Sequence, residues 1–250
     1  MTELGRGLGD LGRGFRFLNA HPGLWGWVVA PALVTLVLLA GAIAGVVWLA
    51  RPLVEGATGW MPGFLQGAAS WVMWILVVTG LGLGALLVFV AMVGVVAGPF
   101  CELLSEAVEE RATGRPAPPF ALGVFLRGAA LGVAHALRRL VGSLFGLVLV
   151  LAIGMVPVVG TIAAAVLAGW LAARASAYDC YDAVLARREL AYADKLAYLA
   201  RYPGRTFGLG AGVAGMLLSP GVNLLAVGVG AAGATLAALE LDDGAPGPGA

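Results

Sequence analysis

Between Val95 and Gly114 the chain reads VVAGPFCELLSEAVEERATG, and this block holds the residues best placed for chemistry. Glu102, Glu106 and Glu109 recur at offsets of 0, 4 and 7, so on a helix they share one face, away from Leu103, Leu104 and Val108. With Glu110 and Arg111, four glutamates and an arginine fall within about three turns. Such a face is either the solvated side of a helix leaving a membrane or the lining of a hydrophilic path near its surface. Other chemistry is sparse. His21 and His135 stand far apart, no spacing matches a metal site, and no nucleophile motif occurs. The chain reads as a non-enzyme, with no metal or cofactor expected.

The elements that carry this block are set by composition. Charged residues are 12% of the chain and hydrophobic ones 60%, against about 25% and 45–50% in soluble domains. Four windows contain no Asp, Glu, Lys or Arg: 17–50, 56–101, 140–173 and 206–239. Each exceeds the roughly 20 residues that carry a helix across a bilayer core of about 30 Å. The expected fold is therefore an all-α integral membrane protein. A β-barrel is excluded, since its strands alternate apolar and polar residues over about ten positions. The net charge of +1 is spread without a basic block, so no nucleic-acid partner is expected. Cys101 and Cys180 lack a CxxC partner and read as free thiols on the cytoplasmic side. Arg6, Arg13 and Arg16 lie among glycines with no cleavage site beyond them, so the first residues read as an amphipathic lead-in rather than a signal peptide.

In chain order, a first transmembrane helix is expected over 24–50, with Pro31 near its start and Trp25 and Trp27 at the interface. A short linker over 51–67 leads to a second helix over 68–97. There Gly80, Gly84, Gly94 and Gly98 have the spacing that lets helices approach closely. Pro99 closes or kinks that helix. Residues 120–139, with Arg127, His135, Arg138 and Arg139, read as an amphipathic helix. Window 140–173 is centred on Pro157 and Gly160, and window 206–239 on Pro220, Gly221 and Asn223. The stretch 174–205 between them reads as a polar pair of helices or one long bent one, with Asp179 and Asp182 in capping or ion-pair roles. Residues 1–240 form one membrane domain, and 241–250 a disordered tail.

The positive-inside rule separates two readings of the last two windows. As single helices each would be about 51 Å long, and 174–205, with six of the fifteen basic residues, would lie outside. Bent into hairpins at their prolines, they return both ends to one side and leave only Arg51 outside. The hairpin reading is preferred. Each arm is short for full crossing, so the hairpins are expected to penetrate partway. Their prolines stand 63 residues apart, as in a weak internal repeat. Irregular backbone at that depth must be buried in protein or face water, so these bends point to a pore lining or an oligomer contact. Gly228-Val-Gly230-Ala-Ala-Gly233 matches GxGxxG, but no strand precedes it, and helix packing explains it.

Three stretches together carry a family resemblance: 99–114 (PFCELLSEAVEERATG), 155–160 (MVPVVG) followed by Trp170 and 178–182 (YDCYD), and 205–235. Their order and spacing resemble the CysZ family of bacterial sulfate permeases, related to the etoposide-induced membrane proteins. The resemblance implies a multi-pass protein of the bacterial inner membrane, built of two long helices and two half-penetrating hairpins. It also implies a homo-oligomer in the lipid bilayer that passes sulfate or a related oxyanion toward cysteine synthesis. Glu106, Glu109 and Arg111 match polar positions of the family signature and are the candidates for the ion path. Pro157, Gly160, Pro220 and Asn223 at the hairpin bends join them, because helix N-termini there offer anion donors. Where the family continues Pro-Gly-Leu with arginine, this chain has Pro22-Gly23-Leu24-Trp25-Gly26. An anion site at Gly23 and Leu24 would then need Arg13 or Arg16 as its cation. The competing expectation is a non-transporting oligomeric scaffold that binds a cytoplasmic partner through its charged helices.

Overall fold

A computed structural model of the chain describes residues 2–59, 62–116, 123, 138 and 141–243. Every regular element among these residues is helical: α1 Glu3–Ala20, a 3-10 turn Pro22–Leu24, α2 Trp25–Thr58, α3 Gly63–Thr113, α4 Val141–Gly154, α5 Val159–Arg187, α6 Tyr192–Arg201, α7 Pro203–Leu217 and α8 Asn223–Asp243. Four stretches are long and apolar enough to cross a membrane: Pro22–Thr58, Ala69–Leu86, Val159–Arg187 and Asn223–Asp242. The protein is an all-α membrane protein. It divides into two compact units, Met1–Pro31 with Ala97–Ala250, and Ala32–Val96.

The smaller unit holds most of α2 and the first two-thirds of α3. Val37, Val47, Trp48, Trp71 and Ile75 all stand exposed there, as apolar side chains do where lipid is the solvent. Both helices outrun the expected bounds. α2 continues through Pro31 and Pro52 to Thr58, and α3 starts at Gly63 and runs through Pro99 without ending. A proline removes one backbone bond, but in an apolar setting ending the helix would orphan several more, so the helix continues. A Cβ at Gly80, Gly84 or Gly98 of α3 would meet nothing within 4 Å. The close helix approach expected at these three glycines is not made among the described residues.

The larger unit makes that approach elsewhere. Gly7 of α1 lies against the backbone of α7 at Arg205, and Gly14 against α8, where a Cβ would stand 2.5 Å from the Gly233 nitrogen. Gly210 of α7 lies against Ala173 and Ala177 of α5. Gly228, Gly230 and Gly233, the GxGxxG match, face Val28, Cys180 with Val213, and Asp10 with Leu11 respectively. They are packing glycines, as expected. The expected lead-in is thus a core helix: its buried face Gly7, Asp10, Gly14, Leu18 follows the helical period and packs on α7 and α8.

Both windows with central prolines are hairpins. Gly146 packs on Leu171 and Gly154 on Ala164, so α4 and α5 run antiparallel about a turn at 157–158. Gly230 packs on Val213 and Arg205 reaches Glu240, so α7 and α8 do the same about 220–222. In each turn the residue after proline has positive φ, 62° at Val158 and 84° at Gly221. Val159 N donates to Pro157 O at 2.8 Å, closing a γ-turn about Val158. The arms are unequal. In the second hairpin α7 has 15 residues, about 23 Å, and in the first α5 has 29, because it runs on through the polar stretch to Arg187. That stretch breaks at Glu189, whose φ of 53° ends the helix, and not at residue 174. α8 likewise extends to Asp243, held by the Arg188–Asp242 ion pair at 2.5 Å, three residues into the expected tail. Of the expected amphipathic helix at 120–139, Arg127, His135 and Arg139 lie outside the described residues.

Candidate functional site

The polar groups of the larger unit gather where the long arms of the hairpins emerge from their apolar parts. The most buried contact joins α1 to α7. Arg205 donates from Nε to Asp10 Oδ2 at 2.6 Å and from Nη2 to Asp10 Oδ1 at 2.9 Å. The two side chains are 5% and 2% exposed, so this is a desolvated two-bond pair. Arg205 also reaches Glu240 Oε2 at 3.0 Å, and Arg13 bridges Asp10 at 3.1 Å and Glu240 at 2.5 Å. The hydrogen bonds to Asp10, and after them those to Glu240, push the Arg205 guanidinium further toward its charged form. Two arginines against two carboxylates leave the cluster neutral, which is what lets it sit against glycine-rich backbone.

A second cluster joins α3, α5 and α8. Arg187 Nη2 donates to Glu109 Oε2 at 2.6 Å and to Ser105 Oγ at 2.9 Å. The Thr235 hydroxyl lies 2.8 Å from Ala231 O and 2.9 Å from Ser105 Oγ. It has one proton, which the carbonyl can only accept, so Ser105 donates to Thr235 and Thr235 to Ala231. Donation therefore runs one way, from the guanidinium through two buried hydroxyls to the α8 backbone. Arg187 Nε is buried with no partner among the described residues. Nearby, Lys195 of α6, only 4% exposed, pairs with Asp182 at 2.6 Å, an ion-pair role for that aspartate as expected. Glu102 is half-buried, and burial, then the Asp182 charge, raises its pKa above the ordinary carboxylate value.

The sequence-derived candidates divide among these surroundings. Glu109 joins the second cluster. Glu106 is half-buried on the same face of α3, one turn away. Arg111 is exposed and bonds to Ala107 O of its own helix at 3.0 Å, so it does not compensate the glutamates across helices; Arg187 does. Arg13 belongs to the first cluster, while Arg16 is exposed. Gly23 is exposed and Leu24 fully buried in the 3-10 turn, which His21 precedes, its Nδ1 3.0 Å from Phe17 O. Arg13 is thus committed to carboxylates, not placed at that turn as a free cation. Pro157 occupies the tip of the first hairpin, and Gly160 packs on Ile153 and Val156 there. Pro220 and Asn223 are exposed at the second tip, where Asn223 N donates to Ser219 O at 3.0 Å. The four bend residues therefore sit at the tips and the glutamates at the base. Cys101 and Cys180 are both free and buried.

Asp10, Ser105, Arg187, Arg205, Thr235 and Glu240 escape a reading of the sequence. For Asp10 a signal exists, since it lies on the same helical stripe as Gly7, Gly14 and Leu18. Arg205 and Glu240 bracket the last charge-free window, and the hairpin alone brings them together.

Relatives of the chain are similar along most of its length. A protein named sulfate transporter CysZ from Pectobacterium atrosepticum is 25% identical over 228 residues, covering 89% of this chain and 80% of its own. A protein of the same name from Vibrio parahaemolyticus is 27% identical over 221 residues, covering 87% and 88%. Matched from residue 10 to residue 227, the chain belongs to the family described as sulfate transporter CysZ/etoposide-induced protein 2.4.

Proposed function

We propose that the chain is a multi-pass protein of a bacterial inner membrane that passes sulfate or a related oxyanion, as a homo-oligomer, toward cysteine synthesis. The observation that carries this reading is the family match over residues 10–227, with relatives named as sulfate transporters that are covered over most of their own length. Sulfate must exchange its hydration for fixed donors, and arginine is the residue suited to that exchange. Arg187 answers the objection that an acidic face repels anions. It neutralises Glu109 and retains an Nε donor without a partner among the described residues. Glu106, one turn from this pair, and Arg111 border the proposed path on α3. The hairpins return their ends to the cytoplasmic side. From tip to first charge, α5 offers residues 159–173, about 22 Å of helix. That falls short of a core of about 30 Å, so neighbouring copies complete the path around the Pro157 and Pro220 tips.

The test is uptake of radioactive sulfate into liposomes carrying the purified protein, beside empty liposomes and a Glu106→Arg variant. Uptake above the empty liposomes that the variant loses while still assembling supports a permease with its path at the α3 face. No uptake of sulfate or of competing oxyanions by folded, oligomeric protein overturns the reading and leaves the scaffold in its place.

A further inference from the structure

A groove of about 370 Å³ opens between α5, α6 and α7, outside both polar clusters. Its walls are mostly apolar, with Trp170, Tyr178, Leu199 and Phe207 among them, and its one charged lining residue among the described residues is Arg174. Among the described residues no carboxylate lines it and Arg174 forms no ion pair; its guanidinium rests 5.2 Å from the centre of the Trp170 ring. At the inner end Tyr178 packs on Tyr192 at 5.8 Å, and Arg138 lies 5.2 Å over that ring. Below the groove, Ile162 and Val166 are 63% and 69% exposed and Trp170 is 45% exposed. With Arg174 they recur every four residues, so they form one stripe along α5. From Ile162 to Arg174 the stripe is about 18 Å long, close to the roughly 15 Å depth of one leaflet's hydrocarbon.

We propose that this groove holds the headgroup of an anionic phospholipid, its phosphate on Arg174 and an acyl chain along Trp170, Val166 and Ile162. Each part of the ligand meets its own chemistry. The guanidinium is a fork suited to phosphate oxygens and is left uncompensated by any acid in the groove. Trp170 beside it is the amphipathic ring that settles at the headgroup level. The exposed stripe offers an apolar track of one leaflet's length where a soluble anion would meet nothing. Basic pockets between membrane helices are recognised sites for anionic headgroups. The site is independent of the path assigned to sulfate, and its occupation would tie α6 and α7 to α5 at the base of the two hairpins.

The experiment takes the full chain in a neutral detergent and titrates it with phosphatidylglycerol, with phosphatidylcholine of the same chains, and with inorganic phosphate. Retained lipid is counted by native mass spectrometry and the melting temperature is followed alongside. One phosphatidylglycerol is expected per chain with a raised melting temperature, little phosphatidylcholine, and no shift with phosphate. Arg174→Gln is expected to weaken phosphatidylglycerol binding roughly fivefold, and Arg174→Lys to recover part of it. Arg174 is exposed, so these variants fold. Val166→Asn should weaken the long-chain lipid more than a short-chain one. Equal binding by Arg174→Gln and the parent, equal retention of phosphatidylcholine, or equal stabilisation by inorganic phosphate would each overturn the proposal.

Discussion

Replacing Arg205 by methionine removes the guanidinium from the most buried ion pair among the described residues while keeping the side chain's apolar stem. Asp10 is 2% exposed and loses both bonds from Arg205, at 2.6 and 2.9 Å. Breaking a buried pair from one side costs about 3–5 kcal/mol, because the surviving charge is left desolvated. Here Asp10 keeps Arg13 at 3.1 Å, a cation 42% exposed and therefore partly screened, so the loss belongs at the low end, about 3 kcal/mol. Asp10→Ala leaves Arg205 with Glu240 alone, and a similar loss follows. The double variant removes both buried charges and spares the Arg13–Glu240 bond, so it should cost about 2 kcal/mol less than the two singles added. Equilibrium unfolding in mixed micelles reads all four proteins, and at this chain length about 3 kcal/mol corresponds to a fall of about 6–12 °C in melting temperature. Arg205→Lys, which keeps the charge and loses the two-bond fork, should fall between parent and methionine variant. Single losses that add to the double within about 0.5 kcal/mol would refute the pairing as an energetic unit.

Three other perturbations read different parts of the fold. Glu102 has a folded-state pKa above its ordinary value, so the stability it allows at low pH is lost as pH rises through that raised value. Glu102→Gln should therefore melt like the parent near pH ~4 and higher than the parent at pH ~7–8, and the reverse order would sink the assignment. Gly210→Ala places a Cβ 2.7 Å from the Ala177 Cβ and 2.8 Å from the Ala177 nitrogen, and should cost about 1–3 kcal/mol, while Gly80→Ala, which meets nothing, should be neutral or slightly stabilising. Val158→Gly relieves a β-branched residue at φ 62° and should stabilise by up to about 1 kcal/mol, since the strain of about 1–3 kcal/mol is partly offset by the glycine's chain entropy; a destabilised variant would count against strain at the tip.

What can be read from the chain alone are its boundaries of polarity. The charge-free windows, the prolines at 157 and 220, and the glutamate face of α3 are local patterns, and each names an element without knowledge of any other. Which glycines carry a helix contact is not local. Gly80 and Gly84 of α3 are small residues four apart, as Gly230 and Ala234 are in α8, and their neighbours along the chain do not tell the two pairs apart. Their surroundings in the fold do: Gly230 lies against Cys180 and Val213, whereas a Cβ at either glycine of the α3 pair meets nothing. The same limit hides Arg205. Its partner Asp10 lies 195 residues earlier, in a helix whose arginines and glycines read as an amphipathic lead-in. Only the α1–α7 approach at Gly7 and Gly208, where backbone meets backbone, turns that helix inward. The polar stretch after residue 174 shows a related limit. Its charges suggest a separate element, whereas α5 carries the first of them as the aqueous end of a hairpin arm, paired to α3 through Arg187 and to α6 through Asp182, and Arg188 just beyond it pairs to α8.

The placement of those pairs bears on how an acidic signature can serve an anion. Of the three glutamates on the α3 face, Glu109 is neutralised by Arg187 at 2.6 Å. Glu102 is biased toward its uncharged form by burial and by Asp182. Glu106, between them, is half-buried and forms no ion pair with a described residue. A path for sulfate beside α3 would thus meet Glu109 already paired and Glu102 less readily ionised than an ordinary carboxylate. On the proposed path, position 106 is then the sensitive one. Reversing its charge alters the field of the path directly, whereas reversing Glu109 would first strand Arg187 and disturb the Ser105–Thr235 donor chain. Loss of uptake with intact assembly at Glu106→Arg, against loss of both at Glu109→Arg, is the pattern that distinguishes a path-lining carboxylate from a structural one.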